Sequence, residues 1–189
     1  MSDAPAVRRR FGLDAADVEE ELLDQRALGR VTWSAFGDTA GWTLSERGKS
    51  RNEELLAAEL DGVTDLRHTV SALYERFLPL NGDLRTAITN WQIRPTDGEP
   101  YAENDHRDAP WDAAVLADLR RVVRSATPIL AELEAALPRT AGYAGRLGLA
   151  LAQATEGDRE RVAGLGIDSL HTVWFELHED LLATLGLQR

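Results

Sequence analysis

The side chains best suited to chemistry fall in two clusters. The first is the polar run Asn104-Asp105-His106-Arg107-Asp108, with Trp111 close behind. It offers donors, acceptors, an imidazole and an aromatic surface within one loop, a mixture that suits a polar small molecule. Long polar loops in compact domains often carry function. The plainer reading of the same run is a helix cap at Asp108 behind a solvated loop. The second cluster is His171, Phe175, His178 and Leu182, one step around a helix from its apolar stripe. Two histidines raise the question of a metal, but seven residues make two helical turns, roughly 10 Å along the axis. One ion cannot bridge that gap with ligand bonds of about 2 Å. The run matches neither His-Glu-x-x-His nor the Glu-x-x-His of di-iron bundles, so no metal is assigned. The two histidines are expected instead to hydrogen-bond partners such as Asp105 or Asp108.

Catalysis finds less support. Ser169 beside Asp168 and His171 has the residue types of a triad. One helical turn does not give relay geometry, and no nucleophile elbow precedes these residues. Gly164-Leu165-Gly166 lacks the lysine of a phosphate loop. The expectation is a non-enzyme with no catalytic residues and no cofactor. The ligand-binding candidates are Trp91, Arg94, Asn104, His106, Trp111, His171, Trp174 and His178. Trp91, Trp111 and Trp174 either line one pocket with His106 and His171 or form ordinary core.

The elements that must carry these residues are mostly helical. Asp14 caps a helix containing Val18 and Leu22, with Asp17 in a capping-box-like position, and Gly29 stops it. Arg30 to Phe36 reads as a strand, Gly37 to Gly41 as a turn-rich tip, and Trp42 to Leu44 as the return strand, with Trp33 and Trp42 packing across the hairpin. Ser45 caps a helix that ends at Asp61-Gly62. Beyond Thr64 the apolar residues keep helical spacing: Leu66, Val70, Leu73, Tyr74 and Phe77. Pro79 is read as an interruption and Asn81 as the cap of a fresh helix that carries Trp91. Gln92 to Pro110 is a long polar stretch, and Thr127-Pro128 marks a kink or a new start. Asp168 is read as the cap of a last helix with Leu170, Val173, Trp174, Leu177, Leu181 and Leu185 as its core stripe. The fold class is mainly α: a partial winged helix with a two-stranded wing at residues 1–62, then a helical bundle at 63–189.

Composition limits the partners. The chain has 189 residues, no cysteine and a formal charge of -11. Without cysteine there is no disulfide, thiolate metal site or thiol nucleophile. The polar N-terminus, ending in Arg8, Arg9 and Arg10, is not followed by the apolar core of a signal peptide. No apolar run approaches the roughly 20 residues that span a bilayer. A cytoplasmic, membrane-free protein is expected.

Two resemblances add to this reading. Leu28-Gly29, the strand after it and the segment Gly41-Trp42-Thr43-Leu44-Ser45-Glu46-Arg47-Gly48 resemble the wing-to-helix junction of multiple-antibiotic-resistance-regulator (MarR) type proteins. The likeness covers about the first third of the chain. A full domain of that type has one more helix upstream, which implies a truncated domain or a start further upstream. The whole chain also resembles a set of actinobacterial transcriptional-regulator-like proteins, in which a winged-helix segment precedes a helical domain. The residues that carry this likeness are Asn90-Trp91-Gln92, Asn104-Asp105-His106, Trp111-Asp112 and the run His171 to Asp180. This second resemblance implies a regulator-like role, with a helical domain that senses a small molecule or mediates pairing, and the MarR-type likeness implies a homodimer.

Charge argues against ordinary operator binding. A recognition helix enters the major groove, where cations are needed. Asp14 to Asp24 holds Asp14, Asp17, Glu19, Glu20, Glu21 and Asp24 and no base, and the turn carries Asp38. The candidates for DNA contact are therefore flanking: Arg8, Arg9, Arg10, Arg26, Arg30, Arg47 and Lys49. Two readings stay open: a regulator that binds DNA in a weak or non-standard way, and a protein-interaction module reusing the winged-helix fold.

Overall fold

The computed structural model describes residues 3–37 and 39–187. It is mainly helical, with a two-stranded antiparallel sheet. No helix among the described residues is long and apolar enough to cross a membrane. The chain divides into two compact units. One comprises the residues up to Thr64 and those from Ala183 onward, the other Asp65–Leu182. The boundary drawn from the sequence at 62/63 lies close to the first junction. The grouping of the chain's end with the first unit has no signature in the residue pattern.

The first unit runs α1 (Ala4–Phe11), α2 (Ala15–Ala27), β1 (Val31–Phe36), β2 (Thr39–Leu44) and α3 (Glu46–Asp61). Asp3 and Asp14 open the first two helices, their carboxylates accepting from the backbone N–H of Ala6 and Ala16 at 2.6 and 2.8 Å. Short polar side chains do this because the first helical N–H groups have no partner inside the helix. Gly29 turns the chain out of α2 with φ 68°, a conformation that costs glycine little. The strands pair from Val31 opposite Leu44 to Phe36 opposite Thr39, and Trp33 meets Trp42 edge-on at 5.2 Å.

β2 begins within the turn expected over Gly37 to Gly41. Thr39, Ala40 and Gly41 belong to β2, because a short connection matches the twist of paired strands. The expected role of Asp38 lies outside the described residues.

Ser45 and Gly48 explain the segment 41–48. Ser45 Oγ donates to the Gly29 carbonyl at 2.6 Å and accepts from Gly48 N–H at 3.1 Å, while Ser45 N–H donates to the Arg30 carbonyl at 2.9 Å. The hairpin base is thereby stitched to the start of α3. A Cβ on Gly48 would sit 1.9 Å from the Arg30 carbonyl oxygen, so only glycine allows this approach.

The second unit contains α4 (Leu66–Gln92), α5 (Ala109–Ala136), α6 (Tyr143–Thr155), α7 (Glu160–Ala163) and most of α8 (Leu170–Leu185). A short 3-10 turn at Pro138–Thr140 joins α5 to α6. α4 pairs with α5, and α5 with α6. Phe77, Leu119, Leu133, Leu147, Val173 and Leu177 are fully buried, and Phe77 stacks on Trp174 with ring centres 4.7 Å apart. Burial of each such side chain is worth about 1.5–3 kcal/mol, and these residues recur at helical spacing on each element.

Several expectations about helix boundaries are corrected. Pro79 does not interrupt: α4 runs through it, as α5 runs through Pro128. Both prolines are exposed, so the carbonyls left without a helical donor lie on the solvent side, where water can serve them. Asn81 caps nothing, since its Oδ1 accepts from Trp174 Nε1 at 3.0 Å. Asp168 does not cap α8 either. It takes Arg146 in a two-pronged pair at 2.9 Å on both oxygens, and Ser169 caps instead, accepting from Thr172 N–H at 3.1 Å. An arginine one helix away competes better for a carboxylate than a neutral amide, because both partners are charged.

Candidate functional site

The site grows out of the way α4 ends. Pro95 has no N–H to offer the Trp91 carbonyl and forces Arg94 out of helical geometry. The last carbonyls of α4 therefore need outside donors. Trp111 Nε1 donates to the Asn90 carbonyl at 2.8 Å, Asn104 Nδ2 to the Trp91 carbonyl at 3.0 Å, and Asn104 N–H to the Gln92 carbonyl at 2.8 Å. Three short segments far apart in sequence meet here: Asn90-Trp91-Gln92, Asn104-Asp105-His106 and Trp111-Asp112.

The stretch between α4 and α5 is ordered by this arrangement. Ile93 bridges Glu103, and Thr96 bridges Glu99 across a tight turn. Asn104 is the hub and is 4% exposed. Its Nδ2 also donates to Asp112 Oδ1 at 2.9 Å, and its Oδ1 accepts from His106 N–H at 3.1 Å. That last bond holds His106 in a left-handed conformation, φ 58°, which costs a non-glycine residue energy unless its surroundings fix it.

The imidazole of His106 packs on Trp91 with ring centres 4.5 Å apart. Its Nδ1 lies 3.1 and 3.0 Å from the two Asp112 oxygens. A carboxylate only accepts, so Nδ1 carries the proton and donates. In the neutral ring this leaves Nε2 as an acceptor, with no hydrogen-bond partner among the described residues. Such a pair can accept a proton or a hydrogen bond from a ligand at Nε2.

His106 also lines an open cleft of about 560 Å³. Trp91, Asn104 and His106 line it together with Gln92, Glu103, Arg159 and Glu160, and Ile93 and Ala163 add apolar surface. Arg159 closes one side, donating from Nη2 to the His106 carbonyl at 3.2 Å. The cleft is of the size that takes small ligands.

Arg94 and Trp111 stand next to the cleft without lining it. Arg94 pairs with Asp108 and lies 6.0 Å from the Trp111 ring. Asp108 meanwhile caps α5, accepting from Trp111 N–H at 3.1 Å. That backbone bond, then the guanidinium, hold the Asp108 carboxyl below its ordinary range.

The remaining ligand candidates lie elsewhere. Trp174 is 2% exposed and stacked in the core, so the structure does not gather Trp91, Trp111 and Trp174 around a common cavity with His106 and His171. His178 Nε2 is 3.2 Å from Tyr74 Oη, and the rings stack at 6.0 Å. It does not bond Asp105 or Asp108, because an aromatic partner on α4 is nearer. Burial pushes the Tyr74 hydroxyl pKa up. His171 is half-buried in α8. Among the described residues no three His, Asp or Glu side chains gather in a metal-binding group.

Arg159, Glu160 and Glu103 escaped the sequence reading, since nothing local marks them. Asp112 did carry a signal: it follows the cap Asp108 by four residues, which places both on one side of the first helical turn.

The candidate cations of the first unit are spread over its elements. Arg8 and Arg9 are exposed in the last turn of α1, and the Arg10 guanidinium lies 4.8 Å from the Phe11 ring. Arg26 is exposed at the end of α2, and Arg30 bonds Gln25 Oε1 at 3.1 Å. Arg47 is exposed in α3, and Lys49 pairs with Glu46 at 2.6 Å, a hydrogen bond that raises its pKa.

Comparison with protein-family models, curated proteins and solved structures finds no match to this chain.

Proposed function

We propose that the chain is a regulator-like protein in which a winged-helix-type first unit works chiefly by pairing with protein, foremost a second copy of itself. The helical bundle, with its cleft, would be the effector-binding half. The observation that carries this reading is the surface of α2. Asp17, Glu19, Glu20, Glu21 and Asp24 are all exposed, while Val18 is the residue that α2 buries. Leu22 and Gln25 are half-buried beside Val18, so at about 100° per residue the opposite side centres on Glu20, Leu23 and Ala27. A helix presenting that side to a groove brings carboxylates toward phosphates, and the repulsion opposes binding and reverses steering.

A second copy suits the same surface. Leu13, Leu23, Leu28, Trp33 and Phe36 are 43–87% exposed in this unit, more apolar surface than single scattered residues would give. Arg8 and Arg9 on α1 make no ion pair among the described residues, and neither do Asp17, Glu19, Glu20 and Asp24 on α2. A two-fold pair brings each patch on one copy against the complementary patch on the other.

The test is sedimentation velocity of the full chain at low and moderate salt, with gel shifts on DNA from its own upstream region. The expected result is a dimer that weakens as salt screens the charges, with no sequence-selective shift. A monomer at both salts, or a selective shift abolished by changes on α2, overturns the proposal.

A further inference from the structure

We infer that the cleft beside His106 takes a small organic cation: an amine or amidinium carried on a flat apolar body. The inference rests on the bundle being the effector-binding half of the proposed function, and it names the ligand class. The cleft leaves acceptors and carboxylates unsatisfied. His106 Nε2 is an open acceptor, because Asp112 fixes the proton on Nδ1. The Glu103 and Glu160 carboxylates line the same cleft and make no hydrogen bond or ion pair among the described residues. Against these stands the Arg159 guanidinium, already partly engaged with the His106 carbonyl. Negative charge therefore exceeds positive charge among these side chains, two carboxylates to one guanidinium, while the Gln92 amide offers both a donor and an acceptor. A ligand that completes the site must bring N–H donors and a positive charge.

The walls argue for the flat body. Trp91, Ile93 and Ala163 give the cleft apolar surface, and the volume of about 560 Å³ is large for a bare ammonium ion. Burial of a small ring there adds to affinity through area, while the charged head stays near the exposed glutamates. The imidazole held by Asp112 gives direction: a donor aimed at Nε2 has a fixed partner, because Asn104 and the left-handed backbone lock His106 in place.

The experiment is isothermal titration calorimetry on the full chain at pH 8 with benzamidine and phenethylamine, against benzoate and benzyl alcohol as anionic and uncharged counterparts. The expected result is saturable binding of the cations, quenching of tryptophan fluorescence through Trp91, and no binding of benzoate. Glu103→Gln with Glu160→Gln, both at exposed positions, is expected to weaken the cations about tenfold, in line with loss of charge-assisted bonds. His106→Asn, a residue type that tolerates left-handed backbone, is expected to weaken them as well.

Tighter binding of benzoate, or cation binding untouched by the glutamate pair, overturns the ligand class while leaving an effector cleft in place. Absence of saturable binding by every probe overturns the inference and the effector-binding half of the proposal together. Self-pairing is read separately by sedimentation.

Discussion

Replacing Asn104 with alanine tests the logic of the site most directly. The side chain is 4% exposed and its amide serves the Trp91 carbonyl, the Asp112 carboxylate and the His106 N–H at 2.9–3.1 Å. Alanine leaves all three partners in place. The Trp91 carbonyl has no second donor among the described residues, since residue 95 is proline, and the backbone cannot supply one without unwinding the end of α4. A buried group left without its bond costs about 1–3 kcal/mol, and the volume removed is small. Water entering from the cleft can serve the His106 N–H and Asp112, so the carbonyl carries most of the penalty. Asn104→Ala is therefore expected to destabilise the protein by about 1–3 kcal/mol. Urea unfolding followed by far-UV circular dichroism reads this as a lower midpoint at nearly constant slope. Trp91 emission should shift in the folded protein as the His106 ring loses its fixed position. A loss under about 1 kcal/mol would refute the reasoning, because it would mean that the three bonds are replaced at no cost.

Other expectations follow from particular contacts. Gly48→Ala must push the Arg30 carbonyl away from a contact of 1.9 Å, so it is expected to cost about 1–3 kcal/mol, measured by thermal unfolding. Wild-type stability in the Gly48→Ala protein would remove the account of the hairpin-to-α3 junction. Phe77→Ala empties the centre of the bundle beneath Trp174 and is expected to cost about 3–5 kcal/mol by denaturant titration. For Asp108 the folded pKa is lowered by the Trp111 N–H and then by Arg94. Its contribution is thus fully present above the unfolded value of 3.8 and is lost as pH falls through the lower folded value. Asp108→Asn should flatten the acid limb of a pH–stability curve below about pH 5. An unchanged limb would show that the carboxylate contributes nothing there. Changing Trp33 and Phe36 together to serine should lower self-association in sedimentation without unfolding the chain, since both rings are substantially exposed in this unit.

The residue pattern by itself determined the helical class, the hairpin and most core faces. Apolar spacing along Leu66 to Phe77 and Leu170 to Leu181 fixes which side of each helix must leave water, whatever it packs against. Cap residues such as Asp14, Ser45 and Asp108 act within a turn of their own position, so they too were legible. Pro79, Asn81 and Asp168 were not. Each has a local reading that tertiary partners displaced: solvent on one side of α4, Trp174 for Asn81, and Arg146 for Asp168.

The candidate site shows the same division. Asn104 and His106 stood out as residue types, but the pairing of His106 with Asp112 depends on a loop folding back between the ends of α4 and α5. Arg159 and Glu160 reach the cleft from a part of the chain that no spacing rule connects to it. Periodicity records how much surface an element must bury. Only the packed chain decides which charges, carbonyls and rings then find one another.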